Sequence, residues 1–118
     1  MPQDPQDEPD DDELSPIWKA LSDLTRRRLL DALRAGPQTT GALCARFPKL
    51  ARVTVIKHLG ILEAADLIVV QAKGRERWNY LNAVPIQRIY ERWIGPFEAH
   101  WASALLRFQA HVEGDRPL

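Results

Sequence analysis

Apolar positions recur along this chain at two spacings, and the switch from one to the other divides it into segments. Between Ile17 and Ala65 they fall three and four residues apart, the period of an amphipathic helix. Ser15-Pro16 predicts a helix start, with Ser as cap and Pro at the first helical position, and Ile17, Trp18 and Leu21 make its apolar face. Asp23 is placed to cap a second helix over residues 24–33 that buries Leu29, Leu30 and Leu33 and ends at Gly36-Pro37. Thr39 or Thr40 caps a short third helix bearing Leu43, Cys44 and Phe47, which Pro48 stops. A fourth runs from about Ala51 to Ala65. From Leu67 the residues turn β-branched and aromatic: Leu67 to Ala72 and Glu76 to Leu81 predict two strands, with Lys73-Gly74-Arg75 as the tip of a hairpin. Beyond Pro85 helical spacing returns, first in Ile86, Ile89, Tyr90 and Trp93, then, past Gly95-Pro96, in Phe97, Trp101, Leu105, Phe108 and Val112.

A short helix, a tight turn and a longer helix followed by a hairpin is the layout of a winged helix-turn-helix. The predicted class is therefore mainly α, with a β-hairpin wing and two C-terminal helices. Residues 1–14 form a tail, 15–84 the core, and 85–113 the C-terminal helices.

The fourth helix has two unlike faces. Val55, Leu59 and Leu62 share one stripe at 100° per residue and predict core. Opposite them stand Val53, Lys57, Gly60 and Ala64, flanked by Thr54 and Ile56, with Lys57 as the one charge. An ordinary solvated helix face carries more charged partners than this.

Charge explains what that face meets. The formal net charge is zero, but the tail MPQDPQDEPDDDEL holds seven acidic residues and no basic one. Its three prolines and near lack of apolar residues read as a disordered acidic tail, one that would compete with a polyanion for a basic surface. Residues 15–77 hold twelve Lys/Arg against five acids, a local charge of +7. Such a centre on a small domain suits a polyanion, of which nucleic acid is the commonest. Arg46, Lys49 and Arg52 surround the start of the fourth helix, Lys57 lies one to two turns in, and Lys73, Arg75 and Arg77 line the hairpin tip. In a winged helix these are the parts that approach double-stranded DNA: the helix start grips phosphates and wing arginines enter the minor groove. Val53, Thr54, Ile56 and Gly60 fit closely against base edges, where apolar groups suit thymine methyls and Lys57 reaches guanine.

Residues 21–82, from LSDLTRRRLLDAL through TTGAL and VIKHLGILEAADL to GRERWNYLN, resemble the core of the ArsR (arsenic-repressor-like) winged-helix transcriptional regulators, and the similarity extends over roughly residues 16–113. The segment RWIGPFEAHWASALLRF is similar to a branch of that family without the metal-sensing cysteines. What the resemblance implies is a homodimeric repressor that blocks promoters. Two departures stand out: the family usually has Ser near positions 51 and 56, where this chain has Ala51 and Ile56, and it often has Arg where Gly60 stands.

The C-terminal stripe of Trp93, Phe97, Trp101, Leu105, Phe108 and Val112 is more apolar surface than a core filled by four helices would cover. Pairing with the same stripe of a second copy, helped by Ile17 and Trp18, predicts a dimer. Glu98, His100 and His111 raise a zinc-responsive alternative, because some metal sensors of the family bind zinc through acid-x-His-x10-His-x-x-acid. Eleven residues along a helix separate the two histidines by about 16 Å, so only an antiparallel partner would bring them together. Asn82, Ala83 and Val84 stand where the first ligands of that pattern should follow the wing, and Gly114 stands at the fourth, so no metal or cofactor is expected. Cys44, the single cysteine, is expected in the core. No nucleophile stands beside a base at useful spacing, which argues against an enzyme; a winged helix used for protein contacts is the remaining alternative. No apolar run approaches the length of a membrane span and the acidic N-terminus is unlike a signal peptide, so the expected location is cytoplasmic.

Overall fold

In the computed structural model, which describes residues 12–95 and 98–114, the second and third helices begin at a side-chain cap, whereas the first and fourth do not. Helix α1 (Ser15–Leu21) starts one residue early: Leu14 is its N-cap and Pro16 lies in its first two positions. The Asp12 carboxylate accepts from Leu14 N–H at 3.2 Å and the Asp12 carbonyl from Ser15 N–H at 2.9 Å. Leu14 itself is 5 % exposed: the apolar residue that ends the acidic run is buried with the core. The rest of the tail, residues 1–11, lies outside the described residues.

Helix α2 (Leu24–Leu33) is capped by Asp23, whose Oδ1 accepts from Arg26 N–H at 3.1 Å. That backbone donor holds the Asp23 carboxyl below its ordinary range. The Arg26 side chain turns back over α1, its guanidinium donating to the carbonyls of Ala20 (2.7 Å) and Lys19 (3.0 Å), and Arg27 donates to that of Leu21 (2.6 Å). Two arginines of the TRRR run thus cap the C-terminal end of α1, whose carbonyls have no helical partner of their own. Strand β1 (Gln38–Thr39) leads into helix α3 (Thr40–Arg46), and Thr39 Oγ1 accepts from Ala42 N–H at 3.1 Å. Helix α4 (Arg52–Ala64), like α1, lacks such a cap, because its N-cap Ala51 offers no side-chain acceptor.

The far end of α4 is closed by the backbone. Leu67 N–H reaches the Leu62 carbonyl (3.0 Å) and Asp66 N–H that of Glu63 (2.9 Å), with Asp66 at φ 60°. This pairing is a Schellman cap with Asp in the left-handed position that glycine usually occupies. It turns the chain into strand β2 (Ile68–Lys73), which pairs antiparallel with β3 (Glu76–Leu81). The register joins Lys73 to Glu76 and leaves a two-residue turn, Gly74-Arg75, with Gly74 at φ 63°, where a two-residue hairpin needs glycine.

Strand β1 was not visible in the sequence, since two residues cannot show an alternation. It pairs with β3, Gln38 opposite Asn79, to give a three-stranded sheet in the order β1-β3-β2. The joint is polar: Asn79, 1 % exposed, donates through Nδ2 to the Gln38 carbonyl (3.2 Å) and to Thr40 Oγ1 (3.1 Å). Around it the core collects Leu29, Leu33, Leu43, Val55, Leu62, Leu67 and Ile68, all nearly inaccessible. Cys44, expected there too, is half-buried and free.

Helices α5 (Val84–Trp93) and α6 (Glu98–Gly114) follow. Asn82 Oδ1 accepts from Val84 N–H at 3.2 Å and so opens α5. The chain divides into two compact units, Met1–Pro85 and Ile86–Leu118, at the first turn of that helix. No helix among the described residues is long and apolar enough to cross a membrane.

Replacing Asn79 with Leu leaves the buried Thr40 hydroxyl without this donor. Such a loss costs about 1–3 kcal/mol, so urea unfolding of Asn79→Leu should show a lower midpoint at unchanged slope.

Candidate nucleic-acid interface

The helix-turn-helix geometry follows from how α4 is seated. It packs against α1, α2, α3 and β2, and it does so through Val55, Leu59 and Leu62, the stripe predicted as core. The opposite face is turned outward by that choice alone. Val53 is 76 % and Ile56 46 % exposed; Arg52, Lys57 and Gly60 are exposed, and Thr54 is half-buried. Between α3 and α4 the turn is closed by Phe47 N–H on the Cys44 carbonyl (3.2 Å) and Leu50 N–H on the Phe47 carbonyl (3.0 Å). Arg46 and Lys49 stand exposed on either side of it. With Ala51 unable to cap, the positive end of α4 is left to an outside acceptor, beside exposed Arg52.

The hairpin sorts its own cations by register. Ala72 pairs with Arg77 and Val70 with Asn79, which puts Arg77 on the face that continues inward to the core. Lys73 pairs with Glu76 on the other face, alongside Gln71 with Trp78 and Val69 with Tyr80. There the Lys73 ammonium donates to Tyr80 Oη at 3.0 Å and lies 5.9 Å and 5.7 Å from the Trp78 and Tyr80 ring centres. It is held by local cation–π contacts rather than extended from the tip. Arg75 occupies the turn itself.

Arg52, Ile56 and Gly60 of α4 and Arg75 and Arg77 of the wing line one groove of about 550 Å³, with Thr40 at its base. Glu63 and Glu76 also line it, so the groove has three cations against two anions. The sequence had grouped Arg46, Lys49, Arg52, Val53, Thr54, Ile56, Lys57, Lys73, Arg75 and Arg77 as one surface. The structure brings Arg52, Ile56, Arg75 and Arg77 to a common groove, sets Val53 and Lys57 on the exposed α4 face, and puts Lys73 on the far side of the wing. Two positioning contacts were missed. Asn79 ties the wing to α3; its one sequence signal was a polar residue at an inward position between Trp78 and Tyr80. Arg26 also reaches α4, its guanidinium 3.2 Å from His58 Nδ1.

Of the residues expected to pair two copies, Ile17 is 4 % exposed and belongs to the core of its own chain, because α1 turns it toward the same interior as Leu14 and Ala20. Trp18 and Trp93 are exposed, as are Leu105, Phe108 and Val112. Phe97 lies outside the described residues, as do the side chains of Glu98, His100 and Trp101. Among the described residues, no three His, Cys, Asp or Glu side chains gather closely enough to hold a metal ion.

Comparison with known proteins agrees with this geometry. Residues 21–71 match the family model described as a helix-turn-helix domain. The chain is 35 % identical over 71 residues to the transcriptional repressor SdpR of Bacillus subtilis, covering 60 % of this chain and 78 % of that one. It is 37 % identical over 98 residues to the HTH-type transcriptional regulator Rv2034 of Mycobacterium tuberculosis, covering 83 % of this chain and 87 % of that protein. Among solved structures it resembles an ArsR-like transcriptional regulator from Rhodococcus sp. RHA1, with a TM-score of 0.64 and 28 % identity over 88 % of this chain and 94 % of that one.

Gly60 is open to a direct test. A Cβ built there meets nothing within 4 Å, so packing inside the chain does not require glycine in the middle of α4. Gly60→Ala should raise the free energy of unfolding by about 0.5–1 kcal/mol, the usual gain at an exposed helix position. Chemical denaturation measures it; a loss of stability would mean that this face is packed.

Proposed function

The chain belongs to the ArsR family of winged helix-turn-helix transcriptional regulators, and from that premise we propose that it works as a homodimeric repressor which lays α4 in the major groove of a promoter. DNA-binding regulation, and not catalysis, is the family's activity. The observation that carries the proposal is the divided α4, whose buried stripe turns Val53, Ile56, Lys57 and Gly60 outward beside the uncapped positive end of the helix.

In this reading the Ala51–Val53 backbone and Arg52 meet phosphates, as do Arg46 and Lys49 beside the turn. Arg75 leads the wing toward the minor groove, and Arg77 follows the strand backbone through the groove between wing and helix. Lys73, held by Tyr80, adds to the field around the wing rather than to a contact at its tip. Residues 15–84 serve as the DNA-reading unit and residues 85–113 as the pairing helices.

Pairing is supported by the exposed Trp93, Leu105, Phe108 and Val112, a stripe that water does not favour on a free helix. Two copies related by a twofold axis would set their α4 helices about one helical turn, roughly 34–36 Å, apart on a nearly palindromic site. A protein seated there excludes other proteins from the promoter, and the likeness to SdpR, itself named a repressor, favours that outcome over activation. A cytoplasmic location accompanies this role.

Phosphate contacts should dominate affinity. If about 6–10 phosphates are neutralised, binding should weaken by roughly 10³–10⁵ between 50 and 200 mM salt, measured by fluorescence anisotropy on a bound promoter duplex. The Lys57→Ala, Arg75→Ala double variant should lose binding clearly, and a winged helix used for protein contacts would be indifferent to it.

Sedimentation equilibrium should give twice the chain mass. Phe108→Glu, which places a charge in the proposed pairing stripe, should shift the population to monomer while leaving far-ultraviolet circular dichroism unchanged.

A further inference from the structure

The outward face of α4 is poor in hydrogen-bonding groups, and this limits what it can recognise. Val53, Ile56, Lys57 and Gly60 lie within one sector of the helix, opposite Val55, Leu59 and Leu62. Among these four, the Lys57 ammonium is the one polar group. Side chains that read purines bidentately, such as Arg, Asn or Gln, are absent from the sector. What remains are two exposed branched aliphatic chains and an open space above Gly60, where a Cβ would meet nothing within 4 Å.

In the major groove one base-edge feature is apolar, the C5-methyl of thymine. Aliphatic side chains pressed against other base edges would strand donors and acceptors away from water, which is costly. Pressed against thymine methyls they bury apolar area on both sides. The missing side chain at position 60 also lets the third turn of α4 come nearer the base pairs than a longer residue would permit.

We propose that Val53 and Ile56 are specificity-determining residues that read thymine methyl groups, so that the operator is selected at A·T pairs by methyl contact, while Lys57 supplies the one polar base contact. This rests on α4 being the DNA-reading helix, as proposed above, and goes beyond it by naming the chemical feature that is read.

The test begins with selection of duplexes from a randomised pool by the full chain at about 50 mM salt, where phosphate contacts are strong. Each thymine of a selected duplex is then replaced singly by uracil, which removes the methyl and keeps the base pair. At one or more positions the affinity should fall about fourfold, the equivalent of the ~0.8 kcal/mol of one buried methyl group. At those positions Ile56→Ala or Val53→Ala should bind the thymine and uracil duplexes equally. Both side chains are exposed, so these variants leave the core intact. Sequence-specific binding that ignores every uracil substitution would overturn the proposal. So would a thymine preference that survives in both alanine variants, since it would then come from DNA shape. Failure to select any duplex would instead remove the DNA-reading function on which the proposal stands.

Discussion

The seating of α4 on Val55, Leu59 and Leu62 sets which of its side chains face outward. Full burial of an aliphatic side chain of this size contributes about 1.5–3 kcal/mol, so three of them amount to much of the 5–15 kcal/mol by which a domain is stable. Rotating α4 by half a turn would expose all three and push Lys57 into the interior. The helix therefore has one practical setting, and the outward face follows from the inward one. The packing of α1, α2, α3 and β2 around it holds that setting from several sides.

The wing is held differently. Its two long strands pair with each other, and beside the apolar packing of Ile68 and of β2 against α4 a polar joint, Asn79 on Gln38 and Thr40, ties it to the helical body. An apolar contact would tolerate sliding along the sheet. A buried amide with two directed partners does not, because a shift of one residue would leave its donors unpaired. Arg77 lies two residues from that joint on the same face of β3, and with Arg52 it lines the groove that the wing and α4 share.

Local charge alone overstates the reading surface. Of the twelve cations between residues 15 and 77, Arg26 and Arg27 close the end of α1, and Lys73 lies against Tyr80 and Trp78. Guanidinium groups satisfy helix-end carbonyls readily because their donors form a rigid fork. A run such as TRRR is thus as much a structural device as an electrostatic one. The start of α4 runs the other way: a side chain that commonly supports such a helix is missing, and Ala51 caps it through its backbone carbonyl alone.

The sequence by itself determined the helices, the cap at Asp23, a threonine cap at position 39 or 40, the core stripe of α4 and the glycine turn of the wing. These depend on neighbours a few residues apart, and periodicity records them. Tertiary structure decided the rest. Strand β1 is too short to carry a pattern, and it exists because β3 offers it an edge. Ile17 looked available for a partner from its place on a short helix, yet α1 turns it into its own core with Leu14. Lys73 and Arg77, four residues apart in the chain, part company because strand pairing sends them to opposite faces of the hairpin. Which cation faces inward, and which polar group is buried, depends on contacts between distant segments, such as Asn79 with Gln38, 41 residues apart; local periodicity does not encode them.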